Sequence, residues 1–485
     1  MYQGQNFIGG AWQTAGAAEP LRRTNPAHHR EVVSEYAPAG ANETRAAVAA
    51  ARAAFPAWSA QTPVARGRCL SRMSAWLEGR KAALAELLTR EEGKTLAEST
   101  GEVQRAVDIF RFFGGLSYTV GGQTLPHDLP QQLLYTVRQP LGVVALITPW
   151  NFPIAIPAWK LAPALLAGNT VVLKPASLAP AMALELARAA EQSGVPAGVL
   201  NVLVGSGKEV GDTLASHPDV VALSFTGSYP VGQQIYRQLA PRMARAQMEM
   251  GGKNPTIVLA DADLDLAASL VSRAGFGLTG QACTATSRVI VERPALAGFL
   301  ERLEARARAL KVGNGLTPGI DMGPAVSEAQ LQGNLDYVRI ARAEGARLVC
   351  GGQALTADEL AHGWFMEPTV FADVTPGMRI AREEVFGPVI AVLAVDDFDA
   401  ALAIANDADV GLSASLVTRD LKRAMIYADR IQAGVVKVNQ ISTGLALNAP
   451  FGGVKQSSTD TFKEQGAGAI EFYSRLKTVY LDYSA

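Results

Sequence analysis

Four short apolar stretches decide the fold: VVALIT at 143–148, TVVL at 170–173, VLNVLV at 199–204 and VALSF at 221–225. Each has strand length, and valine is the commonest residue among them. Between them, residues 157–166, 182–192 and 209–216 carry helical patterns. Apolar strands alternating with amphipathic helices predict a parallel sheet covered on both faces. Working outward toward the N-terminus, the patterns at 42–58, 65–88 and about 101–118 predict three helices. Residues 121–140 hold Gly121-Gly122, three prolines and Leu133-Leu-Tyr-Thr-Val137, which predict an extended ribbon. Toward the C-terminus a second series begins at 256, with strands at 288–291, 389–395 and 435–439. Two α/β units and a small ribbon suit 485 residues, with a boundary near Gly251-Gly252.

Composition removes several function classes. The chain is 48% hydrophobic and 18% charged, against roughly 25% charged in an average globular protein. Intrinsic disorder needs the opposite balance. The net charge of -1 supplies no field to draw nucleic acid or an anionic membrane. Cys69, Cys283 and Cys350 are too few and too scattered for a disulfide framework, and no Cys-x-x-Cys pair occurs. His28-His29 is the one close histidine pair, so no metal is expected. The first twenty residues lack an apolar run, and 141–172 is interrupted by Asn151, Lys160, Asn169 and prolines. Neither a signal peptide nor a membrane span is predicted, and the expected compartment is the cytoplasm.

Four motifs carry chemistry. Gly205-Ser-Gly207-Lys-Glu-Val-Gly211 follows a strand and opens a helix, as a phosphate-binding loop does. Its spacing is one residue longer than G-x-G-x-x-G, and a plain strand-to-helix turn explains it equally well. Phe225-Thr-Gly227-Ser228 repeats the arrangement one strand later, which strengthens the case for a nucleotide crevice. Glu92-Gly93-Lys94-Thr95 lacks the earlier glycine of a P-loop, because Leu88 stands there. Gly280-Gln-Ala-Cys283-Thr places a thiol among small and polar residues. A cysteine is ordinarily a small buried hydrophobe, a reading that suits Cys69 and Cys350 better. Glu249 between Met248 and Met250 is either a desolvated general base or an edge residue. Asn151, between Pro149 and Pro153, is either a fixed amide donor or a turn former.

Taken in order, these motifs resemble the aldehyde dehydrogenase superfamily over nearly the whole chain. The matching segments are Pro149-Trp-Asn-Phe-Pro153, Lys174-Pro-Ala176, Phe225-Thr-Gly-Ser228 and Glu249-Met-Gly-Gly-Lys-Asn-Pro255. Gly280-Gln-Ala-Cys283, Glu383-Glu-Val-Phe-Gly-Pro388 and Pro450-Phe-Gly-Gly-Val-Lys455 complete the set. The resemblance implies two Rossmann-like α/β domains and a small β oligomerisation arm. Cofactor-binding blocks would be 1–120 and 141–251, the catalytic domain 252–440, and the arm 121–140 with 470–485.

It also implies roles. Cys283 would be the nucleophile, Glu249 the base, Asn151 with the Cys283 N–H the oxyanion hole, and Glu464 a proton relay. Lys174 and Ser177 would meet the adenosine ribose of NADP or NAD. Ile147, Thr148, Pro149 and Trp150, then Gly207 and Gly211, would line its path. Phe225, Thr226, Gly227, Ser228, Val231 and Met250 would continue that path, with Glu384 on the nicotinamide ribose and Phe386 against the ring. Phe152, Trp159, Thr284 and Phe451 would face substrate.

The implied reaction is oxidation of an aldehyde through a thiohemiacetal and a thioester, ended by water. A coenzyme A-acylating relative commonly lacks the glutamate that Glu249 matches, and a glutamyl-phosphate reductase-like enzyme has different motifs. A non-catalytic structural relative would tolerate loss of nucleophile or base, and both are present. The 281–288 segment and Ser457-Ser458 look like the subgroup acting on α-ketoglutarate semialdehyde (2,5-dioxopentanoate). A broad-specificity or succinate-semialdehyde-type enzyme is the alternative, although Trp159 stands where the succinate enzymes often carry arginine. Any substrate carboxylate then needs another cation. Arg105 is the expectation, against the ordinary reading of a solvated arginine. Gln456–Asp460 departs from the family's glycine-containing pattern, which predicts a stiffer loop. The expected assembly is a homodimer or homotetramer.

Overall fold

The computed structural model describes residues 1–14 and 19–484; positions 15–18 of the first block and 485 of the arm lie outside them. A seven-stranded sheet has its parallel core ordered Arg245–Met250, Val220–Gly227, Val143–Ile147, Thr170–Lys174, Leu200–Val202. Asn6–Ile8 and Ala11–Gln13 extend it antiparallel, and the sequence patterns had shown no strand there. Every residue of Val143–Ile147 and Thr170–Lys174 is buried, as strands covered on both faces should be. The strand order reverses between Val143–Ile147 and Val220–Gly227, and the crevice at such a reversal is where open α/β sheets bind ligands.

A second seven-stranded sheet is ordered Arg347–Cys350, Thr369–Ala372, Val389–Val395, Arg288–Glu292, Pro255–Val258, Ser413–Val417, Val435–Val438. Only Arg347–Cys350 runs antiparallel. The chain leaves the first sheet at Met250 and enters the second at Pro255. The carboxyl edge of one sheet therefore faces the amino edge of the other. Three-stranded sheets stand apart from both: Tyr2–Gly4, His28–Tyr36 and Leu21–Asn25, and the ribbon Ser474–Asp482, Gln132–Pro140, Thr124–Leu125.

Three helices differ from the sequence reading. The expected 65–88 helix is two, Pro63–Gly79 and Lys81–Glu92, because Arg80 leaves helical geometry just after a glycine (φ -115, ψ 8). The expected 209–216 helix starts with a π-turn, Gly207–Gly211, before Asp212–Ser216. The third runs Leu96–Leu116, earlier than 101–118. Thr95 caps it, and Glu98 returns a hydrogen bond to the Thr95 N–H at 2.9 Å. Ala155–Ala167 is buried on all sides between this helix and the first sheet, Lys160 included. Each fully buried leucine there contributes about 1.5–3 kcal/mol.

Candidate active site

Two cavities meet at Cys283, with Trp159 and Phe451 also shared between them. The first, about 860 Å³, lies at the strand ends of the first sheet. Pro149, Trp150 and Asn151 line it from one strand end, Thr226, Gly227 and Ser228 from the next, and Glu249, Met250 and Gly251 from the third. Glu384, Phe386 and Gln330 close it from the second half of the chain. A separate crevice of about 1000 Å³ continues past Ile147, Lys174, Gly207, Lys208, Gly211 and Val231. The second cavity at Cys283, also about 1000 Å³, is bounded by Phe152, Ala155, Thr284, Leu278 and Leu445, with Glu98, Glu102 and Arg105 on one helix.

The turn leading to Cys283 is held open by conformation. Leu278, Thr279 and Gly280 are all left-handed, at φ +54, +57 and +69. Only glycine fits the third position, since a Cβ there would lie 2.2 Å from the Gly387 carbonyl oxygen. Asn254 donates from Nδ2 to the carbonyls of Cys283 (2.7 Å) and Ala285 (2.9 Å), fixing the far side. The thiol is pushed up to about 12, first by burial, then by Glu384 and Glu249. It therefore needs a base to become nucleophilic.

Asn151 is buried, and one N–H of its amide donates to the Gln281 carbonyl at 2.9 Å. An amide nitrogen carries two hydrogens, so one remains for the cavity that Asn151 lines. Glu249 is also buried. Its Oε2 accepts from the Gly453 N–H (3.1 Å) and its Oε1 from the Ser458 hydroxyl (3.2 Å). Burial, then the Glu464 charge, holds its carboxyl well above the usual range, which suits a proton acceptor near neutral pH. The Gln456–Asp460 segment thus bears directly on the base. Ser457 donates to the Gly251 carbonyl at 2.7 Å and accepts from the Gly411 N–H at 3.0 Å.

Some expected residues stand elsewhere. Glu464 lines neither cavity; it is buried in an ion pair with Lys160, whose Nζ also donates to the Ser224 hydroxyl (2.7 Å). Phe225 is a core residue whose ring lies beneath Gly227 and Gly232 rather than in the crevice. Thr148 is buried behind Pro149, and Ser177 turns inward to donate to the Gly205 carbonyl (3.0 Å). Arg111 pairs with Glu78 and Asp108 on the surface. Arg105 instead faces the second cavity, donates to the Gln465 amide oxygen at 2.5 Å, and pairs with no carboxylate among the described residues.

The crevice can hold a dinucleotide. Lys174 is buried without a carboxylate partner among the described residues, and desolvation lowers it to about 8. Buried Thr226 Oγ1, in the strand-end segment that lines the cavity, has no hydrogen-bond partner among the described residues. A Cβ on Gly207 would meet nothing within 4 Å, so that loop leaves backbone room for a phosphate. Glu384, raised by burial to about 7, folds over Gly251, where any Cβ would lie 2.1 Å from its Oε2. Lys208, Gln330, Lys160 and the Thr443–Leu445 loop were missed from sequence. Lys208 sits inside the glycine loop and Lys160 is a lone charge in an apolar helix, both readable signals; Gln330 and 443–445 carry none.

Known proteins resemble this chain over nearly its whole length. The aldehyde dehydrogenase family's sequence model matches residues 12–479. An alpha-ketoglutarate semialdehyde dehydrogenase of Haloferax volcanii is 50% identical, over 99% of both chains. A 2,5-dioxopentanoate dehydrogenase of Saccharolobus solfataricus is 44% identical, over 96% of this chain and 97% of its own. The crystal structure of an NAD-dependent aldehyde dehydrogenase from Sinorhizobium meliloti superposes with a TM-score of 0.96 at 35% identity, covering 100% of this chain and 95% of that one.

Proposed function

The chain belongs to the aldehyde dehydrogenase family, and from that premise we propose that it oxidises an aliphatic semialdehyde acid, 2,5-dioxopentanoate, to 2-oxoglutarate. The observation that carries the substrate is Arg105, among the described residues the one basic side chain lining the substrate cavity that ends at Cys283. The two carboxylates there do not cancel it. Glu102 is bonded to Lys94 at 2.6 Å and to two backbone N–H groups, and Glu98 accepts from Leu278 and Thr95.

Cys283 adds to the aldehyde carbon, and its proton passes to Glu249, whose raised pKa lets it accept. The resulting alkoxide lies between the free Asn151 N–H and the Cys283 backbone N–H. A bound oxidised nicotinamide supplies the hydride acceptor that turns this adduct into a thioester. Glu249 hands the thiol proton on through Glu464, paired with Lys160 behind it, and so can remove a second one from the attacking water and return it to the Cys283 sulfur. The carboxylic acid leaves and the thiol is restored.

Lys174, Gly207, Gly211 and Val231 hold the adenosine half, while Thr226, Gly227, Ser228, Glu384 and Phe386 hold the nicotinamide half. Lys208 adds a second cation to the crevice, and Ser177, bonded to the Gly205 carbonyl at the start of the glycine loop, brings no carboxylate to it. NADP is therefore used at least as well as NAD. We assign 1–120 and 141–251 to cofactor binding and 252–440 to catalysis. Segment 441–469 returns to the first unit at the Glu249–Ser458 bridge. The ribbon of 121–140 and 470–485 joins copies: Ser474–Asp482 pairs on one edge only and exposes Leu476, Tyr480 and Leu481. Light scattering at micromolar concentration should give two or four chain masses, and a monomer would refute the arm's role. Free cysteines and a nicotinamide cofactor suit a reducing, cytoplasmic compartment.

The test is purified enzyme with 2,5-dioxopentanoate and with uncharged pentanal, followed by nicotinamide reduction. A kcat/KM for the acid at least tenfold higher supports the reading. Equal values would leave a broad-specificity enzyme, and no reduction with either a non-catalytic protein.

A further inference from the structure

The helix Leu96–Leu116 presents Glu98, Glu102 and Arg105 at i, i+4 and i+7, one face turned to the substrate cavity. Its first residues are bonded to both loops that carry the oxyanion donors. Glu98 Oε2 closes the helix's own capping box at Thr95, while Oε1 crosses to accept from the Leu278 N–H at 2.6 Å. Leu278 opens the left-handed run that ends at Gly280, three residues before Cys283. On the other side, Lys94 donates from Nζ to the Asn151 carbonyl at 2.7 Å and to Glu102 at 2.6 Å. Glu102 in turn accepts from the N–H groups of Ile154 (3.0 Å) and Ala155 (3.1 Å). Lys94 and Glu102 are buried, so these bonds are shielded from water.

We infer that Lys94, Glu98 and Glu102 are positioning residues that fix the spacing between the Asn151 amide and the Cys283 N–H. None of the three touches the reacting atoms in this account. The inference deepens the reaction proposed above and rests on it only for its kinetic readout. An oxyanion pair stabilises charge only where both donors reach one oxygen, and displacement by about 1 Å costs on the order of 100-fold in rate. Two loops about 130 residues apart in sequence need a common reference, and this helix bonds both.

Glu98 is the member to test, because it is partly exposed and its loss leaves the buried Lys94–Glu102 pair intact. In full-length Glu98→Ala, amide exchange over 277–283 should rise at least about tenfold, with the strands of both sheets unchanged. kcat for the semialdehyde should fall roughly 10–100-fold. KM for NADP and the rate of Cys283 alkylation by iodoacetamide, which builds no oxyanion, should stay within about twofold. Glu98→Gln, which keeps an acceptor for Leu278, should restore most of kcat. Unchanged exchange and unchanged kcat would overturn the inference. So would parallel losses of kcat, alkylation and NADP affinity without rescue by glutamine, since that pattern marks plain destabilisation. Exchange needs no substrate, so failure of this inference and failure of the proposed reaction are read separately.

Discussion

The two cavities that meet at Cys283 are built in opposite ways. The cofactor side takes most of its walls from neighbouring strand ends, Pro149–Asn151, Thr226–Ser228 and Glu249–Gly251, all within one sheet. The substrate side gathers a helix at 98–105, a second at 155–159, the turn at 278–284 and the loop at 443–451. A wall made of strand ends varies little once the sheet is set. A wall made of distant segments changes with each of them, which is why substrate choice belongs there.

Replacement at the junction should have the largest effect. Cys283→Ala should lower aldehyde oxidation more than roughly 10³-fold, while Cys69→Ala and Cys350→Ala, whose thiols are buried away from both cavities, leave turnover largely intact. Near-normal turnover by the Cys283 variant would remove the covalent mechanism. Next in size is Glu249→Gln, expected to slow steady-state turnover roughly 10²–10⁴-fold. Rapid mixing should still show a burst of reduced nicotinamide, because the Cys283 thiol can lose its proton to solvent before the aldehyde arrives, whereas hydrolysis needs the base in place. A first turnover slowed as much as the rest would instead place Glu249's main work at the Cys283 thiol.

On the cofactor side the expected change is smaller. Ser177→Glu should move the ratio of kcat/KM for NADP over NAD about tenfold toward NAD, by repulsion of a 2′-phosphate. An unchanged ratio would give the preference to Lys174 and Lys208.

The same contrast explains what the sequence revealed. The alternation of 143–225 was legible because strands such as Val143–Ile147 and Thr170–Lys174 bury both faces, so hydrophobicity alone marks them. Asn151, Glu249 and Cys283, which line one cavity, each stand in a short motif that the sequence displays. Phe225 and Thr148 were misplaced because alternation along a strand sends neighbours to opposite faces, and motif membership does not say which. The early start of Leu96–Leu116 was available in Thr95-Leu-Ala-Glu98, a capping box that went unread. Gln330 and Thr443–Leu445 reach the site only through tertiary packing, and nothing local distinguishes them.

The central claim is that Arg105 reads a substrate carboxylate, and Arg105→Met tests it most directly. The variant is assayed with 2,5-dioxopentanoate and with pentanal. Losing a charge-assisted hydrogen bond should cost about 1.5–3 kcal/mol in kcat/KM for the acid, roughly 10–150-fold, and less than twofold for the neutral aldehyde. Equal losses on both substrates, or no loss on the acid, would contradict the assignment of Arg105 and the semialdehyde acid with it.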